Sequence, residues 1–121
     1  MENAVYSEKV IEHFKNPHNV GFITDYDGAA KVGDPGCGDS IILTVKINDD
    51  DIIEDIKYYV YGCPAAIATS SAVSCLAIGK TVQEALSLEN KDVVDFLDAL
   101  PEDKVHCSLL GIQGLRNALA Y

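Results

Sequence analysis

The sequence predicts an α+β domain, a small antiparallel β-sheet with helices packed on one of its faces. Three observations predict it. A helical apolar period opens the chain, two segments of period-two alternation follow around a turn, and from residue 64 the pattern is helical almost to the end. The 121 residues read as a single domain, 1–121. A chain of this length can bury roughly two-thirds of its unfolded surface, so a core is available without disulfides.

The first helix is announced by Ser7 as N-cap, with Tyr6, Val10 and Phe14 spaced by four on one face. Pro17 stops it. Residues 18–36 contain Gly21, Gly28, Gly33, Pro35 and Gly36 and read as a loop leading into a short strand. In residues 40–47 the apolar positions are Ile41, Leu43, Val45 and Ile47, while Thr44 and Lys46 face out. In residues 52–61 Ile52, Ile56, Tyr58 and Val60 carry most of the apolar load. Asn48-Asp49-Asp50-Asp51 between them is turn chemistry, so the two strands form a hairpin with one wet face. The acids of that turn have no ligand series at EF-hand spacing and read as solvated.

Pro64 suits the first position of a helix that Gly79 closes beyond Ile78. Thr81-Val82-Gln83-Glu84 is a capping box for a short helix, and Asn90 can cap another with Val93, Leu97 and Leu100 inward. The last helix runs from about residue 107 to 120, with Leu109, Ile112, Leu115 and Leu119 inward. Gly111 and Gly114 weaken it by ~1 kcal/mol each relative to alanine.

Composition narrows the function. Nine Lys and Arg against nineteen Asp and Glu give a net charge of −10. Such a chain has no electrostatic basis for holding a phosphate backbone or an anionic membrane surface. It favours basic protein patches or metal cations. No secretory signal, transit peptide or apolar run of ~18 residues is found, which predicts a cytoplasmic protein. In that reducing compartment Cys37, Cys63, Cys75 and Cys107 read as thiols, ligands or catalytic groups, not disulfides.

Three of these cysteines sit at element boundaries. Cys37 lies in the glycine-flanked loop Asp34-Pro35-Gly36-Cys37-Gly38-Asp39, where backbone can approach a bound group. Cys63 stands between a strand end and a helix N-terminus, and Cys107 follows His106 before the last helix, with Lys104 nearby. Helix N-termini and positive charge favour the thiolate. If the three converge, Asp39 and His106 are candidates for further ligands. Thiolates select zinc or the iron of iron–sulfur clusters, and three cysteines with one histidine or aspartate satisfy either. A hard carboxylate or an imidazole in place of a fourth cysteine loosens a cluster, which suggests delivery. On residue types alone, buried structural cysteines remain an equal reading.

The stretches Tyr6-Ser7-Glu8-Lys9-Val10-Ile11, Asn16-Pro17-His18-Asn19-Val20-Gly21, Gly36-Cys37-Gly38-Asp39, Tyr61-Gly62-Cys63 and His106-Cys107-Ser108, in this order, resemble the IscU/NifU N-terminal family of iron–sulfur cluster assembly scaffolds. The resemblance implies an assembly site of Cys37, Asp39, Cys63, His106 and Cys107, with Cys107 receiving persulfide sulfur from a cysteine desulfurase and Lys104 as supporting charge. It further implies ferrous iron, a ferredoxin, a frataxin-type partner and acceptor apoproteins. The product would be a transient [2Fe–2S] cluster, with zinc in the cluster-free site, a possible homodimer, and no enzymatic turnover in the usual sense. Leu100-Pro101-Glu102-Asp103-Lys104 departs from the family's Leu-Pro-Pro-Val-Lys, the segment read by a dedicated Hsp70 chaperone, and so does not predict that partner. The alternatives are a zinc-dependent sulfurtransferase of the SufU type, disfavoured by His106 and the lack of room for that branch's insertion, and a structural zinc module. Cys75 reads as packing, His13 and His18 as surface residues, and Tyr58, Tyr59 and Tyr61 as ordinary strand residues. Thr69-Ser70-Ser71 reads as close helix packing and Tyr6 as a helix anchor whose family position suggests self-association.

Overall fold

Ser7 caps the first helix as its spacing predicts: its hydroxyl accepts the Val10 N–H at 3.1 Å and also bonds the Leu97 carbonyl. In this computed structural model, which describes residues 6–34, 39–98, 100 and 108–120, that helix is α1, Glu8–Lys15. Its buried residues are Val10 and His13, and Phe14 is 40% exposed. The stripe therefore runs 6, 10, 13, one position off the i+4 reading, because a 100° step leaves i+3 and i+4 equally able to face inward. His13, expected at the surface, is only 6% exposed, whereas His18 is exposed as expected.

Three strands follow, β1 (Gly28–Asp34), β2 (Asp39–Ile47) and β3 (Ile53–Tyr61), in an antiparallel sheet of order β1-β2-β3. The hairpin of β2 and β3 is as predicted. β1 corrects the loop reading, since it pairs over its whole length from Gly28↔Val45 to Asp34↔Asp39. Its small residues carry little strand propensity. What specifies it is tertiary: a Cβ at Gly28 would stand 2.0 Å from the Ala118 carbonyl oxygen, so the last helix lies directly on this backbone.

Ile41, Leu43 and Val45 of β2 and Ile56 and Tyr58 of β3 are fully buried on one face. The other face is not uniformly wet. Thr44, expected outward, is buried because the chain after α1 crosses it; the Ile23 N–H donates to Thr44 Oγ1, which donates to the Lys57 carbonyl. Nearby, Val20 bridges to Tyr58 at the far edge of β3. Ile42, Tyr59 and Tyr61 stay exposed at the other end of that face.

The helix after the sheet, α2 (Pro64–Ala77), is buried on all sides at ten of its fourteen positions, the signature of a central helix. Gly79, at φ +92°, ends it where only glycine is unstrained. α3 (Val82–Leu86) has the predicted capping box of Thr81 and Glu84. α4 (Asn90–Phe96) starts one residue earlier than expected, with Glu89 as N-cap and the Asp92 carboxylate accepting the Glu89 N–H at 2.8 Å. In α5 (Ser108–Leu119), Ile112, Leu115 and Leu119 point inward but Leu109 is 46% exposed. Its glycines are contact points: a Cβ at Gly111 would lie 3.1 Å from Val73, and one at Gly114 3.2 Å from Ile41. Among the described residues no helix is long and apolar enough to cross a membrane.

Candidate metal-assembly site

Sheet register brings the first candidates together. Asp39 opens β2 opposite Asp34, and its neighbour Ser40 pairs with Tyr61, the last residue of β3. Two residues beyond Tyr61, Cys63 forms the N-cap of α2 in extended conformation, with Pro64 setting the helix going. The start of β2 and the start of α2 therefore share one pole of the molecule. The Asp39 carboxylate lies over Gly62, where a Cβ would meet Asp39 Oδ1 at 2.7 Å and Cγ at 2.9 Å. Asp39 and Cys63 are both half-buried.

The start of α5 points to the same pole. Ala118 lies on Gly28, Gly114 on Ile41, and Gly111 on Ser70 and Val73, so the helix runs from the far end of the sheet back toward Asp39 as its number falls. Leu110 in its first turn packs with Leu100, Tyr6, Val60 and Cys63 around the fully buried Ala65 and Ala66. Cys37, Lys104, His106 and Cys107 lie outside the described residues. The residues that flank them are described: Asp34 and Asp39 on either side of Cys37, and Leu100 and the first turn of α5 on either side of the other three. Among the described residues no three His, Cys, Asp or Glu side chains gather closely enough to hold a metal.

Cys75, in the last turns of α2, sits apart from this pole, and burial pushes its thiol above the usual range, partly offset by Ser74. It is half-buried and stands outside the apolar core. The buried serines, by contrast, do more than let helices approach. Ser71 Oγ lies 2.7 Å from His13 Nδ1 and accepts the His18 N–H at 2.9 Å. Burial, with the charge of His18 next, lowers the His13 pKa below its usual 6.5. Tyr58, beneath them, is no ordinary strand residue. Its buried Oη makes no hydrogen bond of normal geometry, the adjacent Ser71 hydroxyl offsets burial only in part, and its pKa is pushed up to about 12. This network joins α1 to α2 and stands away from the pole. Sequence reasoning missed it, and it also gave Gly62 no role.

The chain matches the NifU-like N terminal domain over residues 5–121. It is 49% identical over 115 residues to the "Iron-sulfur cluster assembly scaffold protein IscU 1" of Archaeoglobus fulgidus, covering 95% of this chain and 74% of that protein. It is 45% identical over 118 residues to the IscU scaffold protein of Escherichia coli K12, covering 95% and 91%. A crystal structure from Fervidobacterium islandicum, described as an iron–sulfur cluster assembly scaffold protein for the SUF system, superposes with a TM-score of 0.78 at 27% identity, covering 94% of this chain and 96% of that one. The N-terminal part of a NifU-like protein from Brucella abortus gives the same TM-score at 18% identity and bears on the fold alone. Matched along nearly its whole length, and carrying its cysteine-bearing junction at the pole where three elements begin, the chain belongs to the NifU-like N-terminal domain family.

Proposed function

We propose that this protein is a scaffold on which an iron–sulfur cluster is assembled and from which it is passed to acceptor apoproteins. The supporting observation is that Asp39, Cys63 and the flanks of the His106-Cys107 segment meet at one pole in a chain of this family. The curated relatives named above carry the scaffold function in their names.

The cluster is cargo here, and the donor chemistry fits a cargo. Thiolates of Cys37, Cys63 and Cys107 would hold iron firmly, while Asp39 or His106 supplies a harder, displaceable ligand. In our reading the cluster is of the [2Fe–2S] type, and zinc can occupy the cluster-free site. Sulfur enters when the Cys107 thiolate attacks the terminal sulfur of a desulfurase persulfide. The S–S bond of the donor breaks, its cysteine leaves as thiolate, and the persulfide now resides on Cys107 with no net redox change. Lys104 stabilises the anionic thiol. Reduction of that sulfur to sulfide draws electrons from ferrous iron and a carrier of the ferredoxin class. The protein thus acts as acceptor and carrier, without turnover of its own.

Anaerobic reconstitution with ferrous iron, cysteine and a cysteine desulfurase tests the reading. A visible-absorbing, labile chromophore that moves to an apo-ferredoxin is expected, together with persulfide on Cys107 that Cys107→Ser abolishes and Cys75→Ser does not. Sulfur turnover with zinc retained would instead mark a sulfurtransferase, and tight colourless zinc without sulfur acceptance a structural module. Asp39→Ala should slow cluster transfer while the fold survives; unchanged transfer removes Asp39 from the ligand set.

A further inference from the structure

We propose that Gly62 is a positioning residue whose missing side chain is the seat of the Asp39 carboxylate. The inference rests on the scaffold reading for its consequence, but its geometry stands independently.

Glycine recurs in chains for two physical reasons, backbone conformations closed to other residues and close approach of another group. The first does not apply: Gly21 and Gly79 are the described glycines with positive φ, and Gly62 is not among them. The second does. A Cβ at Gly62 would stand 2.7 Å from Asp39 Oδ1 and 2.9 Å from its Cγ, both closer than real carbon contacts allow, and 3.1 Å from Ala66 Cβ. The carboxylate therefore occupies the volume that any other residue at position 62 would fill.

That seat lies beside Cys63, the N-cap of the fourteen-residue helix α2. A carboxylate there lies near the N-terminus of α2, whose field favours it, and over the residue one along the chain from Cys63, with which it would share a metal. Its backbone is fixed by strand pairing, Asp39 to Asp34 and Ser40 to Tyr61. Strand register places the Asp39 backbone, and the absent Cβ leaves its carboxylate room to lie over the backbone that leads into α2. Such preorganisation is what a weak, exchangeable ligand needs to compete for the metal at all.

The group that clashes is the far end of a short side chain, so the Gly62→Ala variant can relieve the overlap by turning Asp39 away. The fold should survive and the carboxylate should not stay. Ala66 needs to yield only a few tenths of an ångström.

Two measurements on the full chain test this in a double-mutant cycle of Gly62→Ala and Asp39→Ala. The first is Co²⁺ titration of the metal-free protein, with ligand-field bands as readout, which requires no cluster chemistry. Gly62→Ala should weaken Co²⁺ binding about three- to tenfold in the wild-type background and have no further effect with Asp39→Ala. The second is the rate of cluster transfer to apo-ferredoxin, which Gly62→Ala should slow in the same direction as Asp39→Ala, again without additivity. Thermal unfolding of the apo variant should shift by no more than a few degrees. Unchanged Co²⁺ affinity in Gly62→Ala, or an equal loss in both backgrounds, overturns the proposal, the second because the alanine would then act through Ala66 and α2. Failure of the wild-type protein to build any cluster would overturn the scaffold reading and leave the Co²⁺ cycle to judge Gly62 alone.

Discussion

Ser70 and Ser71 are consecutive, fully buried residues of one helix, yet replacing them with alanine should have very different consequences. Ser70 Oγ donates to the Ala66 carbonyl one turn back, an oxygen already placed to serve the helix ladder. Ser71 Oγ accepts the His18 N–H and can give its single proton to Nδ1 of neutral His13. Ser70→Ala deletes a redundant bond and should cost ~1 kcal/mol or less. Ser71→Ala orphans His13 Nδ1 in a site 6% exposed, at ~1–3 kcal/mol, and the half-buried His18 N–H, at ~0.5–1.5 kcal/mol. The expected total is ~1.5–4.5 kcal/mol, most of it from His13, whose ring is stacked on His18 at 4.8 Å and meets the edge of Phe96 at 5.5 Å. Urea unfolding of the apo protein at pH 7.5 measures both variants against wild type, with an unchanged m-value as the condition for reading the midpoint as stability. If Ser71→Ala costs no more than Ser70→Ala, the hub assignment is wrong and the α1–α2 joint is held by apolar contact alone.

Tyr58→Phe should leave stability unchanged or raise it by up to ~1 kcal/mol, since the buried Oη it removes makes no hydrogen bond of normal geometry; a loss of ~1 kcal/mol or more in urea would show that the adjacent Ser71 hydroxyl bonds it after all. Gly28→Ala should cost ~3 kcal/mol, at the upper end of overpacking penalties, because the obstacle is the backbone oxygen of Ala118 and not a movable side chain; a wild-type urea midpoint would contradict the packing of α5 on β1. On pH, the His13 pKa is lowered in the folded state, so the unfolded chain binds more protons just below 6.5 and stability is fully present above that pH. It should fall as pH drops from 6.5 through the folded-state pKa, and His13→Gln should flatten that limb of the urea-midpoint profile. A slope of opposite sign, or one unchanged by His13→Gln, would contradict it. The exposed Glu84 carboxylate, held below its usual 4.5 by the Thr81 backbone and hydroxyl, should contribute in the same direction only below that range.

Periodicity made most of this fold readable, and its failures share one cause. The pattern of β2, the capping box at Thr81 and the stop at Gly79 are local statements, and each holds. β1 is invisible to the same reading because Gly28, Ala29, Ala30 and Gly33 carry no alternation; it is a strand because β2 pairs with it and α5 lies on it. Thr44 faces away from the core as its parity requires and is buried anyway, since a segment twenty residues upstream crosses it and supplies the Ile23 N–H. His13 and Phe14 exchange roles because only the position of α2, and of Ser71 within it, decides which of two adjacent positions points inward. In each case the deciding partner is remote in sequence.

The assembly pole divides along the same line. Cys63 and Asp39 could be picked out by residue type and by their place at element boundaries, where helix N-termini gather charge and distant segments can converge. Gly62 could not be understood that way, because what it contributes is an empty volume filled by a residue of another strand. The pole is built from small parts for a physical reason. Ala65 and Ala66, both fully buried, let Tyr6, Val60, Cys63, Leu100 and Leu110 close on the first turn of α2 from four directions. Larger residues there would push those segments apart and move Cys63 away from the start of α5. Stability is carried elsewhere, by Ile41, Leu43, Val45, Ile56, Val73, Ile112 and Leu115 along the sheet, the central helix and α5. A chain arranged in this way can vary the ligands at its pole without losing its core, which is why substitutions at Asp39 and Gly62 are expected to separate metal binding from folding and those at Gly28 and Ser71 are not.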